Sequence, residues 1–347
     1  MPARPTQNIP PTFRRMNCTI VNGGGLDRLT TVDRPEPSPG PGEVKIRWHA
    51  TSLNYHDYLV AVGAIRVPDE RIPMSDGAGE VVQVGEGITH RQVGDRVMSL
   101  FFPDWIDGPP TLAKTRAISG ESTDGYLCEF SCLPEQSVTA IPTNYSYAEA
   151  ATLPCAALTA WRGLIEVGQM RPGDKVLIEG TGGMSIFGLQ LAVAAGAEVF
   201  ATTSSEEKAE RLRAMGATKV FNYREDDRWG KTIFRATGGV DHVLDVGGGS
   251  TMQQSIEAAG MNANVVSIGI LDDGRKGELT FPKLFFKHLR LSGIAVGSAA
   301  MQDRMVRALE QFDVRPVIDR SFSFDAIGEA FRYQESGRHF GKIVVEW

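Results

Sequence analysis

Apolar and polar positions change rhythm near Ser146. Before it, from residue 17 to about 145, apolar residues fall in short alternating runs such as Glu43-Val-Lys-Ile-Arg-Trp48 and Gly79-Glu-Val-Val-Gln-Val84. Glycine and proline clusters punctuate these runs at 35–42, Gly77-Ala-Gly79, Val84-Gly-Glu-Gly87 and Val93-Gly-Asp-Arg96. Period-two alternation between turn residues predicts a β-rich unit. The stretch 101–125 has no period and reads as one long loop, a kind of segment that is usually functional or mobile.

After Ser146, residues 147–151 and 156–163 read as helical, with Pro154 as a break between them. Candidate strands at 176–178, 198–202, 219–222, 242–245, 265–268 and 291–296 then alternate with helices at 206–215, 250–259 and 301–312. That alternation predicts a parallel, doubly wound sheet. A last helix at 324–335 and a strand at 342–346 are short and are expected to return to the β-rich unit. The expected fold class is α/β, with a β-rich domain at 1–145 and 313–347 and a doubly wound domain at 146–312.

The stretch Lys175-Val-Leu-Ile-Glu-Gly-Thr-Gly-Gly-Met-Ser185 adds chemistry. An apolar strand runs into a glycine turn, and then an apolar helix and a second strand follow, the context a dinucleotide site requires. Gly180 permits the turn, and Gly182 lets backbone approach a pyrophosphate. Gly183, Met184 and Ser185 open a helix whose free N–H groups favour negative charge. Ser185 stands where the fingerprint has its third glycine. The tip of the second strand reads Thr203-Ser-Ser-Glu-Glu-Lys208, without the acid that holds a ribose 2′-OH. Hydroxyls and a lysine suit a 2′-phosphate, so NADPH is expected over NADH. Ordinary cap and surface roles for Ser204, Ser205 and Lys208 also fit this pattern.

Composition narrows the class. The 347 residues suffice for two domains, and 42% hydrophobic with 22% charged residues is a globular balance. A net charge of −6 argues against a nucleic-acid surface. No apolar run approaches the roughly 18 residues of a membrane span. Residues 1–16 lack the apolar core of a signal peptide and read as a loose extension. Four cysteines make no disulfide framework, so a cytoplasmic location is expected.

Five motifs resemble one family: Ala50-Thr-Ser-Leu-Asn-Tyr-His-Asp57, Asp76-Gly-Ala-Gly-Glu-Val81, Val93-Gly-Asp-Arg-Val97, Ala151-Thr-Leu-Pro-Cys-Ala-Ala-Leu-Thr-Ala160 and Gly341-Lys-Ile-Val-Val345. Together they resemble the medium-chain dehydrogenase/reductase superfamily, in its zinc-free quinone oxidoreductase-like branch, near zinc-type alcohol dehydrogenase-like sequences. The resemblance covers nearly the whole chain after residue 15. It implies a chaperonin-10-like N-terminal barrel, a Rossmann dinucleotide domain and a short C-terminal return. It also implies that Lys208 and Tyr223 embrace the 2′-phosphate and that the hydroxyl of Thr159 approaches the nicotinamide. Gly247, Gly269 and Ile270 follow later strands at their C-terminal ends, where such sheets bind ligands. Lys342 is a further cofactor candidate, although a surface lysine would read the same.

Zinc members of this superfamily hold a catalytic metal with Cys, His and Cys. The matching positions here are Asn54, Ser75 and Cys155, and two of these are weak neutral ligands. The four-thiolate structural site is missing as well. No zinc is therefore expected. His56 and Asp57 are conceivable replacement ligands, but no second histidine lies near them in sequence.

Without a Lewis acid, plain ketones lack an electrophile, whereas quinones and α,β-unsaturated carbonyls need only donors to the oxygen that gains charge. One such donor is worth roughly 2.7–4 kcal/mol. Asn54 is the candidate donor, and Tyr55, His56 and Asp57 are candidate proton sources. Asp57 also suits an orienting role. Phe101, Phe102 and Trp105 suggest either an apolar pocket rim or loop packing. The expected activity is NADPH-dependent, metal-independent reduction of a small apolar quinone or conjugated carbonyl compound. An NADP-dependent alcohol dehydrogenase or ketone reductase, and an NADPH-binding sensor with little catalysis, are the alternatives. The family pattern and the apolar stretch Leu291-Ser-Gly-Ile-Ala-Val-Gly297 suggest a homodimer through a sheet edge.

Overall fold

The computed structural model describes residues 14–269, 271 and 276–347. Residues 1–13 of the expected N-terminal extension and Ile270 lie outside the described residues, and Arg15 and Met16, read as part of that extension, belong instead to the first strand. Strands β1 (Arg15–Val21) and β2 (Leu29–Pro35) form an antiparallel pair. The β-rich unit continues through β3 (Glu43–Ser52), β4 (Ala78–Val84), β5 (Arg96–Ser99), β6 (Phe130–Pro134) and β7 (Val138–Ala140). In β3 the alternating residues Val44, Ile46 and Trp48 are buried and pack with Val81, Val97 and Tyr126. The stretch expected to be one long loop contains a short helix, Leu112–Thr115, capped by Thr111.

The doubly wound sheet contains β8 (Lys175–Glu179), β9 (Glu198–Thr203), β10 (Ala217–Asn222), β11 (Val240–Asp245), β12 (Ala259–Ser267) and β13 (Arg290–Gly293). Their order is β10-β9-β8-β11-β12-β13, all parallel. The order reverses between β8 and β11, and ligands of such sheets bind in the crevice outside that point. Central strands buried on both faces explain the unbroken apolar runs Val176-Leu-Ile178 and Val199-Phe-Ala201.

Three expectations need correction. Pro154 does not break the helical path. The chain passes from Tyr147–Ala151 through the wide turns Leu153–Ala157 into Leu158–Trp161 and Arg162–Val167, and the proline sits at a turn start, where its missing N–H costs little. Strand β12 begins at Ala259, six residues earlier than the apolar run suggested, because the preceding helix ends at Ala258. The last sheet strand stops at Gly293 instead of running to residue 296, where Val296 turns to φ +45°.

After the helix Ala299–Phe312 the chain forms β14 (Ile318–Ser323), the helix Ile327–Glu335 and β15 (Lys342–Glu346). The first sheet then runs β14-β15-β3-β4-β5-β7, with β6 also on β3. Gly341 donates its N–H to Thr181 O at 2.9 Å, so the start of β15 lies against the glycine turn after β8. That contact brings the two sheets together at one place. Among the described residues, no helix is long and apolar enough to cross a membrane.

Candidate active site

The crevice is built from strand ends. Gly180 has φ +74°, a conformation that suits glycine, and lets the chain turn out of β8. The helix Gly183–Ala194 then starts with first-turn N–H groups that have no intrahelical partner. A Cβ at Gly183 would lie 2.3 Å from Cδ of Lys342, so the glycine makes room for that side chain. Open space faces Gly182, where an added Cβ would meet nothing within 4 Å. Met184 is half-buried against the core. Ser185, expected among the cofactor-binding residues at the helix start, has a buried side chain whose hydroxyl donates to Glu179 O at 2.7 Å, so only its backbone is left for that role. Gly247 and Gly269 meet at Val246, whose carbonyl would lie 2.9 Å from a Cβ at Gly269.

At the outer end of the crevice, Thr203 closes β9 and accepts the N–H of Tyr223 at 3.1 Å. The Tyr223 side chain is exposed. Ser205 caps the helix Glu206–Ala214, and Ser204 precedes it. The Lys208 ammonium donates to Gly337 O at 2.9 Å and His339 O at 3.0 Å. The exposed Arg338 lies between those two carbonyl residues, a neighbour that distance in sequence hid. A nicotinamide dinucleotide fits these residues: the turn, the free helix start and the acid-free strand tip are all in place.

Beneath the glycine turn lies a dense polar cluster. Nζ of Lys342 is buried and donates to Leu53 O at 2.7 Å and to Asn54 Oδ1 at 2.6 Å, with Asp76 Oδ2 at 3.8 Å. Nδ2 of Asn54 donates to Asp76 Oδ2 at 2.8 Å and to Ser75 Oγ at 3.1 Å. Both amide protons are thereby engaged, so the expected role of Asn54 as a free donor to substrate does not hold in this arrangement. Asp57 is no free proton source either. It is buried, and its two oxygens accept from the backbone of Asn54 at 2.9 Å and of Ser75 at 2.8 Å. Asp57 therefore orients its neighbours at the start of the helix Tyr55–Ala61. Burial pushes the Asp76 carboxyl up to about 7, against the pull of Lys342. Ser52 also donates to Asp76 Oδ2, while Oδ1 is buried without a partner.

His56 pairs with a different acid. Its Nε2 lies 2.7 Å from Glu121 Oε2, and its buried Nδ1 has no hydrogen-bond partner, with Asp57 Oδ1 at 3.7 Å. Burial works to lower its pKa, but the Asp57 and Glu121 carboxylates outweigh it and raise the value. Tyr55 is exposed, and its ring stacks near Tyr58. Phe101, Phe102 and Trp105 are buried and pack the loop, which corrects the pocket-rim alternative. Phe101 meets the His56 ring edge-on at 5.2 Å. Thr159 is buried and donates to Cys155 O at 2.7 Å, leaving its oxygen as an acceptor.

A buried acid pair underlies the crevice. Ser255 Oγ lies 2.5 Å from Glu179 Oε1 and 2.7 Å from Asp245 Oδ2. One hydroxyl proton is shared between two carboxyls, an arrangement that favours a further proton on one of them. Burial and the Asp245 charge push Glu179 up to about 8. Nothing in the local sequence marked this pair, because β8 and β11 become neighbours only in the sheet.

The residues at the metal-matching positions do not fit zinc. Asn54 and Ser75 spend their polar atoms on each other, Asp76 and Lys342, and burial holds the Cys155 thiol well above its ordinary value. Among the described residues, no group of three or more His, Cys, Asp or Glu is arranged to hold a metal ion.

Two family models match the chain: the alcohol dehydrogenase GroES-like domain over residues 40–143 and the zinc-binding dehydrogenase over residues 183–312. A zinc-type alcohol dehydrogenase-like protein of Schizosaccharomyces pombe is 39% identical, across 93% of this chain and 96% of that protein. The crystal structure of a putative alcohol dehydrogenase from Sinorhizobium meliloti superposes with TM-score 0.90 at 37% identity, covering 96% of this chain and 99% of that one. The structure of the crotonyl-CoA carboxylase/reductase AntE in complex with NADP superposes with TM-score 0.86 at 26% identity, covering 99% and 97%.

Proposed function

The chain belongs to the medium-chain dehydrogenase/reductase superfamily and is a nicotinamide-dependent oxidoreductase, and from that premise we propose that it is an NADPH-dependent, metal-independent reductase of quinones or α,β-unsaturated carbonyl compounds. One observation carries this reading. The positions that match zinc ligands in relatives surround a buried ammonium, that of Lys342. A fixed positive charge there stabilises the oxygen of a conjugated acceptor as it gains negative charge, in a site where low dielectric strengthens the effect.

When bound, the dinucleotide supplies the hydride. Gly180, Gly182 and the start of the helix Gly183–Ala194 hold its pyrophosphate. Lys208, Tyr223, Ser204 and Ser205 form the 2′-phosphate end, and Arg338 adds charge beside it. Thr159 offers its hydroxyl oxygen toward the nicotinamide end. Asn54 and Asp57 position Lys342 and the backbone around it. His56, held by Glu121, delivers the proton that completes reduction.

The exposed Phe281, Phe285 and Phe286 near the edge strand β13 support a homodimer through that edge.

The test is NADPH oxidation by chelator-treated protein with quinones, enones and simple ketones as acceptors. Turnover of the conjugated acceptors alone is expected. Ketone turnover that disappears with chelator would instead favour the alcohol dehydrogenase reading that the names of the relatives suggest.

A further inference from the structure

A line of aromatic contacts runs from His56 through Phe101 and Phe102 to Trp105 and ends on Arg162, a buried cation with no role in the chemistry above. Arg162 is 8% exposed, and its guanidinium lies 4.9 Å over the Trp105 ring. Its Nη1 donates to two successive carbonyls, Ala295 O at 2.9 Å and Val296 O at 3.2 Å. Its buried Nε has no partner among the described residues. The nearby Glu166 is already held by Arg304 at 2.9 and 3.0 Å and by Trp161 at 2.9 Å. A charge kept in such surroundings costs stability unless its contacts matter.

Those contacts hold an unusual turn. Val296 has φ +45°, which a β-branched residue seldom adopts. Two adjacent carbonyls aimed at one point repel each other, and a cation between them relieves that repulsion. Ile294 is tied to Ser267 O at 3.1 Å, and a Cβ at Gly297 would meet Leu158 at 2.9 Å, so the turn is fixed at both ends. The N–H groups of Ala295, Val296 and Gly297 have no partner among the described residues. They lie just beyond the C-terminal end of β13, on the same edge of the sheet as Gly180, Gly247 and Gly269. Leu158 is the neighbour of Thr159 in sequence.

We propose that Arg162 is a positioning residue: it locks the turn 295–297 so that its N–H groups orient the nicotinamide end of the dinucleotide. This rests on the cofactor reading given above. Lysine cannot replace it fully, since a point charge lacks the planar face that stacks on Trp105.

The test compares NADPH with 2′,5′-ADP, a probe that has the phosphate end but no nicotinamide. In Arg162→Met, 2′,5′-ADP affinity stays within about twofold of wild type. NADPH affinity falls about tenfold, the equivalent of one good hydrogen bond, and the emission of the bound dihydronicotinamide changes. Arg162→Lys recovers part of the loss. Adding Val296→Gly to Arg162→Met also recovers part, because glycine adopts the turn without help. Unchanged NADPH affinity and emission in Arg162→Met would overturn the proposal, and so would an equal loss of both ligands. Should Arg162→Met not fold, Arg162→Lys decides: NADPH weakened with 2′,5′-ADP unchanged supports the proposal, and no difference overturns it. Failure of wild-type protein to bind 2′,5′-ADP would instead remove the NADPH reading on which this proposal's comparison rests.

Discussion

Nζ of Lys342 lies 2.6 Å from Oδ1 of Asn54, joining the C-terminal strand β15 to the second residue after β3. The same lysine passes over Gly183, so one side chain lies against both the glycine turn after β8 and the polar cluster around Asn54 and Asp76. Its charge also restrains Asp76, whose burial alone would drive the carboxyl higher than about 7.

The proton donor is expected to show in the pH profile. The His56 pKa is raised, with burial opposing and the two carboxylates prevailing. The protonated form therefore persists above the ordinary histidine range, and kcat/KM falls as pH rises through the raised value. Glu121→Gln removes one source of the rise and moves that fall to lower pH. Identical profiles for the two proteins would contradict the assignment.

Cofactor choice is expected to depend on the outer end of the crevice. Charge-assisted hydrogen bonds contribute about 1.5–3 kcal/mol each. Lys208→Ala should accordingly raise KM for NADPH by about tenfold or more and leave KM for NADH nearly unchanged. Steady-state kinetics with both coenzymes check this directly. Tyr223→Phe is expected to act in the same direction and more weakly.

Stability should decline toward alkaline pH through the buried acid pair. Glu179 has a raised pKa, so the folded state favours its proton. That contribution is complete below the ordinary carboxylate range and is lost as pH rises through about 8. Glu179→Gln keeps a neutral group in place, and thermal unfolding across this range should show a smaller decline than in wild type. An equal decline in both proteins would place the effect elsewhere.

The doubly wound sheet and the glycine turn were legible because they rest on local signals, the periodic apolar runs and Gly180, whereas the strand order β10-β9-β8-β11-β12-β13 was not. The cluster under the turn was not, since Lys342 and Asn54 are far apart in sequence and only the pairing of β15 with β3 brings them together. Asn54 was found as a residue but given a different role, and for Asp57 the orienting role is the one of its two readings that the structure shows, because a polar side chain's partners are settled by packing and not by its type. Glu179 with Asp245, and Arg162 with Val296, depend on neighbours across the sheet or on backbone dihedrals. Asp76 stood in plain view beside Ser75. A carboxylate next to a would-be ligand position was the signal that could have found it.

The most direct measurement is kcat for reduction of a conjugated enone at saturating NADPH by chelator-treated Lys342→Met and Lys342→Arg, each shown to be folded. Losing a preorganised charge from such a site lowers kcat by about 10²–10³-fold. Lys342→Met is expected to fall in that range, and Lys342→Arg to retain a substantial part of the activity. Near wild-type kcat in Lys342→Met would contradict the claim that this ammonium serves where metal-dependent relatives hold zinc.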